Sequence, residues 1–250
     1  MAKNKKIVDI TNEEKKSKDK YGTNSKGKII KLEDNDDSKE RAFKSRAIAI
    51  ILWCLAIIFE IIGILRLTNV IKWFSNINIT TFLVICIVLD LLFFIPGSLF
   101  WKKANHIDPA SEVNKVKFWT INNLGVILSV LAFLPIIVVV LTDKELDKKS
   151  KTIVTAVAAI ALIIAGVSSY DFNPISKEQL EKAEKEVVNV SGGKTVYWAP
   201  HSKKYHVDPD CPAFSQSETV FEGTVKQAFE KGLTDPCRRC IPELKENEEK

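Results

Sequence analysis

TVYWAPHSKKYHVDPDCPAFSQSETVFEGTVKQAFEKGLTDPCRRCIP, residues 195–242, is the stretch from which the rest of the chain is read. His206 and Cys211 are separated by four intervening residues, and Cys237 and Cys240 by two. Two short knuckles separated by a longer connection can each offer two ligands to one tetrahedral ion. Three thiolates and one imidazole suit zinc, and four protein ligands close the site, which makes it structural rather than catalytic. Around these residues, Val196–Trp198 and Lys204–Val207 are β-prone runs joined by the turn-forming 199–203, which predicts a hairpin with His206 on its second strand. Asp208-Pro209-Asp210 turns the chain into Cys211. Thr224 with Gln227 reads as a capping box opening a short helix over 225–231, and Gly232 stands where such a helix ends.

Two other readings attach to the same residues. A CxxC pair alone also serves as a redox dithiol, against which the two further ligands at fitting distances argue. His201 is an alternative fourth ligand to His206, although its turn position speaks against it. His106 is a lone loop histidine and reads as solvated.

The segment resembles the small zinc domain of the Ada DNA-alkylation repair proteins, and more closely a version carried at the C-terminus of bacterial membrane proteins and nucleases. The resemblance lies in Tyr205-His206, Cys211-Pro212, the Ala228…Gly232 helix end, and Pro236-Cys237-x-x-Cys240 with Pro242, about a fifth of the chain. Ada-type domains use four cysteines, the first of which accepts a methyl group from DNA. His206 stands at that place here, so the resemblance implies a fold and a metal and does not extend to that chemistry.

Outward from this module the composition is segregated. Residues 1–46 are polar, 47–170 are dominated by apolar runs, and 171–250 are polar again. The expected fold class is therefore an all-α membrane protein of four transmembrane helices with a small C-terminal α+β zinc-binding domain. The five divisions are a charged disordered tail (1–46), the four-helix transmembrane domain (47–170), a charged helical spacer and linker (171–194), the zinc module (195–242) and a solvated tail (243–250). No signal peptide is visible, since 46 hydrophilic residues precede the first apolar run. Of five cysteines, three belong to the proposed metal site, and Cys54 and Cys86 lie alone in apolar segments. That pattern argues against a disulfide framework and for a reducing compartment.

The spans are Ala47–Leu65, Phe82–Trp101, Phe118–Leu141 and Thr152–Tyr170, each long enough to cross about 30 Å of hydrocarbon. Trp73, Trp101, Trp119 and Tyr170 fit interfacial belts. The tail carries 14 Lys/Arg with 9 Asp/Glu, and the 102–117 loop carries four lysines. The other two loops hold Arg66 and Lys72, and Lys144, Lys148, Lys149 and Lys151. This bias places both termini in the cytoplasm of a multi-pass protein of the cell membrane, the compartment in which thiols stay reduced. Basic residues 39–46 face anionic lipid head groups. Small and polar stripes (Ala56, Glu60, Gly63; Asn122, Gly125, Ser129, Ala132; Ala158, Ala161, Ala165, Ser168) predict close helix packing.

Two carboxylates, Glu60 and Asp90, lie inside the apolar spans, at depths of roughly 20 and 15 Å from the inner ends. Intramembrane acids mark a proton or cation relay by default. The competing reading is that they are neutral and packed, or that Glu60 reaches Arg66. After the last span, Ser176 with Gln179 opens a charged helix to about Val188, read as a spacer, and Ser191-Gly192-Gly193 as a joint.

No nucleophile–base set, phosphate loop or open metal site is visible, so no catalytic activity is legible. Four functions remain: a membrane protein displaying a cytoplasmic structural zinc module for binding or assembly; a nucleic-acid-contacting module tethered to the membrane; a small transporter or channel using Glu60 and Asp90; and a zinc or redox sensor. The partners expected are the lipid bilayer and a protein partner or second copy. Residues 195–242 carry six Lys/Arg and six Asp/Glu. A net charge of zero argues against nucleic acid, which needs a basic face.

Overall fold

Every apolar run is helical in the computed structural model, which describes residues 6–9, 35–72, 75–214, 217 and 219–241. The helices are α1 (Asn35–Leu67), α2 (Ile79–Ile107), α3 (Lys115–Asn122), α4 (Leu124–Thr142), α5 (Lys148–Ser169), α6 (Lys177–Ser191) and α7 (Val225–Glu230). The strands are β1 (Lys6–Asp9), β2 (Thr195–Trp198), β3 (Lys204–Tyr205), β4 (Thr219–Thr224) and β5 (Asp235–Pro236). Four of the helices, α1, α2, α4 and α5, are long and apolar enough to cross a membrane. Two compact units result, one of residues 40–105 and 113–174, the other of 1–39, 106–112 and 175–250.

The first unit buries small residues and exposes large apolar ones. Ile51, Ile61, Leu92, Leu131, Ile163 and Val167 are all exposed, at 48–64 %. Such a surface suits hydrocarbon, where helices associate by close packing of small side chains. The interior stripes are Ala56–Glu60–Gly63 on α1, Asn122–Gly125–Ser129–Ala132 across α3 and α4, and Ala158–Ala161–Ala165 on α5. The α5 stripe closes on Ser169 rather than the expected Ser168, which is only half-buried.

Helices α1 and α2 run antiparallel, with Gly63 against Cys86, Phe59 stacked on Phe93 at 5.6 Å, and Trp53 beside Phe94 at 6.1 Å. The approach is tight at Gly97, where a Cβ would lie 2.9 Å from the Trp53 ring. Phe94 meets Phe133 of α4 edge-on at 5.9 Å. Where α2 and α5 meet, the Ser169 hydroxyl donates to Ser98 at 2.7 Å or to the Ala165 carbonyl at 2.6 Å. Trp101, expected as an interfacial residue, is fastened inward: its indole N–H donates to the Ile121 carbonyl at 2.8 Å. Trp119 and Tyr170 are exposed, and Trp73 lies outside the described residues.

Two boundaries differ from the sequence reading. Helix α1 starts at Asn35, well ahead of the apolar span. Residues 35–46 contain no Gly or Pro, and Ser38, Ala42, Ser45 and Ala49 form a buried stripe at helical spacing. That periodicity is carried by small residues, to which a search for large apolar ones is blind. The rest of the expected disordered tail lies outside the described residues, apart from β1. The third span is broken at Asn123. The side-chain amides of Asn122 and Asn123 donate to the carbonyls of Phe118 and Trp119, each at 3.0 Å, competing with the helix ladder. The spanning piece is α4 alone, 19 residues long.

In the second unit, β4 is the centre of a three-stranded sheet, antiparallel to β2 and parallel to β1. Strands β3 and β5 pair parallel, Tyr205 opposite Pro236. The expected hairpin is present as a bridge between Tyr197 and His206 that exchanges both backbone bonds, at 2.7 and 2.8 Å. Both capping boxes form, Ser176 with Gln179 and Thr224 with Gln227. Gly223 has no alternative: a Cβ would lie 2.5 Å from the capping Gln227 oxygen and 2.7 Å from the Trp198 ring.

Helix α6 departs from its reading as a spacer. Leu180, Ala183 and Val187, at helical spacing, are buried in one cluster with Val196, Trp198, Tyr205 and Phe229, and Ile175 joins them. Residues 106–112, the end of α2 and the loop that follows it, are part of the same unit. Lys177 N–H donates to the Ala110 carbonyl at 3.1 Å, and Glu178 accepts from the Ser111 hydroxyl at 2.5 Å and the Glu112 amide at 2.9 Å.

Candidate metal centre

The strand pairing that holds the second unit together also delivers the ligands. Residues β3 and β5 lie side by side, and the next residue after each is His206 and Cys237 respectively. The Cys237 amide donates to the Tyr205 carbonyl at 2.8 Å, which extends that pairing by one step and brings the two side chains to the same end. After Cys237 the chain folds back on itself: the amides of Cys240 and Ile241 donate to the Cys237 carbonyl at 3.0 and 3.1 Å. This tight knuckle returns Cys240 beside Cys237. An Asx turn, in which Asp208 accepts from the Asp210 amide at 2.9 Å, supplies Cys211 from the other side.

The result is one cluster. His206, Cys211, Cys237 and Cys240 offer ligand atoms that all lie within 4.8 Å of one another. The Cys211 and Cys237 sulfurs are 3.9 Å apart, and the Cys240 sulfur is 3.6 Å from His206 Nδ1. Three of the four residues are buried and Cys240 is half-buried. All four candidates singled out by spacing are thus brought together. His201 is not among them. It is exposed, in the left-handed turn conformation at φ 61°. His106, read from the sequence as a solvated loop residue, is half-buried in the last turn of α2, because that helix continues past the apolar span to Ile107; it lies outside the cluster.

The electrostatics of the cluster favour a bound cation. Burial pushes His206 down to about 4, against the smaller opposing pull of Asp208, so its imidazole is neutral at neutral pH, the form that binds a metal. Burial would raise Cys237. The Arg239 and Cys240 amides and the neighbouring thiols outweigh it and hold the thiol below its ordinary value. Cys240 is pushed up to about 12, by burial first and then by Cys211. Three crowded thiols, two of them buried and one half-buried, cannot all ionise unless a positive charge is placed among them. Such a donor set fits a metal ion, which would draw off the remaining thiol protons.

Glu60 and Asp90 belong to the other unit and are separate from this cluster. Both are buried, at 5 % and 2 % exposure, and neither forms an ion pair with Arg66 among the described residues.

The sequence reading missed how much of the chain supports the metal centre. Tyr205, next to His206, is wholly buried and packs on Phe229 at 6.4 Å. Behind it stand the α6 residues Leu180, Ala183 and Val187. Their spacing was a legible amphipathic signal, obscured by the high charge of the rest of that helix. Comparison of the chain with protein-family models, with curated proteins and with solved structures returns no match.

Proposed function

We propose that this is a multi-pass protein of the cell membrane that displays a structural zinc module on the cytoplasmic side for binding or assembly. The observation that carries the reading is the spacing inside the cluster. A tetrahedral zinc ion with Zn–S of about 2.3 Å and Zn–N of about 2.0 Å holds two sulfurs about 3.8 Å apart and a sulfur and nitrogen about 3.6 Å apart. Cys211–Cys237 and Cys240–His206 are 3.9 and 3.6 Å apart, and all four ligand atoms lie within 4.8 Å of one another. With four protein ligands there is no open position for a substrate, so the ion's role is to hold the fold. The resemblance of residues 205–242 to the Ada-type zinc domain of bacterial membrane proteins supports the same reading.

A shared side for both termini is supported by two features besides loop charge. Four spans is an even number. The N-terminal strand β1, residues 106–112 and the C-terminal module belong to one compact unit, which supports a common face of the bilayer for all three. Nucleic acid is the weaker partner, because the charges of residues 195–242 cancel. A protein surface or a second copy is the stronger one.

Metal analysis of the purified full-length chain tests this. One equivalent of zinc per chain, removed by a strong chelator with loss of the module's signals but not of the membrane helices, is the expected result. A metal-free chain whose module remains folded would overturn it.

A further inference from the structure

We propose that Glu60 and Asp90 form a site within the membrane-spanning unit that binds and releases one monovalent cation, with a proton as its resident ligand. This rests on the four helices lying in a bilayer and is independent of the zinc module.

The register of α1 against α2 sets the geometry. Gly63 abuts Cys86: a Cβ built on Gly63 would lie 3.4 Å from the Cys86 Cβ. The helices are antiparallel, so stepping back three residues from Gly63 and forward four from Cys86 moves the same way along both. One turn from the contact, at about the same depth, these steps reach Glu60 and Asp90. The contacts further along keep the register, with Phe59 on Phe93 and Trp53 on Phe94. Helix α4 closes the third side, since Ile136 lies 3.6 Å from the same Gly63 position.

Two observations distinguish this pair from ordinary packed acids. Both residues are more than nine-tenths buried, and among the described residues Glu60 Oε1 and Asp90 Oδ1 have no hydrogen-bond partner. The Glu60 carboxyl also interacts with the Ile136 backbone of α4, so each acid keeps one buried oxygen unsatisfied rather than being wholly without partners. The surroundings also supply no fixed counter-charge. On α1, Cys54 is exposed, and Arg66 lies six residues beyond Glu60 with its buried Nε unpartnered. On α2 the neighbouring titratable group is Cys86, one turn from Asp90. Helix α4 has no titratable side chain. Helix α5 has lysines only at its N-terminal end, where Lys151 donates to the Asp143 carbonyl. Two adjacent carboxylates cannot both stay ionised in such a place. A proton or another small cation must sit with them, and the orphaned oxygens are where it binds.

A hydrophobic carbodiimide, applied to the full-length protein in liposomes, reads the site directly. A protonated carboxyl adds across its N=C=N bond, the oxygen bonding to carbon and the proton passing to nitrogen. Acyl transfer to nitrogen then leaves a stable N-acylurea that carries the whole mass of the reagent. The expected result is one adduct per chain, mapped to Glu60 or Asp90 by peptide mass spectrometry. Its yield should fall at least about tenfold between about pH 5 and pH 9. The adduct should vanish in E60Q/D90N, whose folding is checked by circular dichroism and monodispersity. Sodium chloride in place of choline chloride distinguishes the occupants. Protection by sodium would make it a general monovalent-cation site, and no protection would make the proton its sole ligand. A yield independent of pH would mean permanently neutral, packed acids, and an adduct surviving in E60Q/D90N would place the reactive acid elsewhere. Either overturns the proposal. Should the bundle exclude the reagent, infrared titration in wild type and E60Q/D90N decides, since a carboxylic-acid band that bleaches with rising pH must be present in the first and missing from the second.

Discussion

Cys237 is the residue on which the second unit most depends, because it is both a ligand candidate and the start of the knuckle that returns Cys240. Structural zinc contributes on the order of 10 kcal/mol to the folding of small modules, and losing one ligand of four weakens that term sharply. Cys237→Ser should therefore unfold the module, seen as loss of dispersed amide signals from residues 195–241, while the helical content of the membrane unit persists. The same substitution at Cys54, which is exposed and lies outside the cluster, should do neither. Tyr205 carries an opposite expectation. Its hydroxyl is buried with no hydrogen-bond partner among the described residues, and burial holds it well above its ordinary ionisation range. An unsatisfied buried hydroxyl costs about 1–3 kcal/mol, so Tyr205→Phe should leave the module as stable or more stable in chemical denaturation. A loss of about 1 kcal/mol or more would mean that the hydroxyl has a partner in solution.

At the scale of elements, α6 is the piece whose role changed most between sequence and structure. It follows the last span directly and buries one face in the module. Leu180→Ala should destabilise the module by about 2–5 kcal/mol, the ordinary cost of truncating a buried leucine. Lys182→Ala on the exposed face should be close to neutral in the same denaturation series. The 106–112 loop is tied to α6 by Glu178, which accepts from Ser111 and the Glu112 amide. These two bonds, the Ser111 hydroxyl first, hold its carboxyl below the ordinary glutamate value. A depressed carboxyl contributes while it is ionised, above its unfolded value, and that contribution is lost as pH falls through the depressed folded value. Hydrogen exchange at the Glu112 amide should accordingly gain protection above the ordinary glutamate range. It should lose that protection, relative to neighbouring amides, on acidification, and Glu178→Gln should flatten the dependence.

For the whole molecule the decisive question is which side of the membrane carries the second unit. The proposed cytoplasmic side rests on the lysine-rich 102–117 stretch and the basic tail, and the pairing of β1 with β4 supports putting β1 and the module together. Single cysteines introduced near Lys245 and at Ser75, in the loop between α1 and α2, should label oppositely with an impermeant thiol reagent in intact cells. Reagent should reach the second and not the first. Labelling near Lys245 would reverse the orientation, and with it the assignment of the thiol cluster to a reducing compartment.

The sequence by itself determined the four spans and the four members of the thiol–imidazole cluster. Both signals are local: a run of apolar residues is long enough for a bilayer wherever it falls, and ligand spacing within each knuckle, such as Cys237-x-x-Cys240, is set by the chain between. It also carried both capping boxes, because the bonds of a capping box span three residues. Tertiary structure alone decided what joins those pieces. Helix α6 looked like a spacer because its three buried residues sit among charges, and only the strands and α7 packed against them show which face counts. The early start of α1 rests on Ser38, Ala42, Ser45 and Ala49, side chains too small for any hydropathy pattern to register. The meeting of Glu60 with Asp90 depends on the register of two antiparallel helices. That register is set by where Gly63 lets the backbones approach, a contact between residues 23 positions apart in the chain. Local pattern specifies elements; packing between distant residues specifies which of their faces meet.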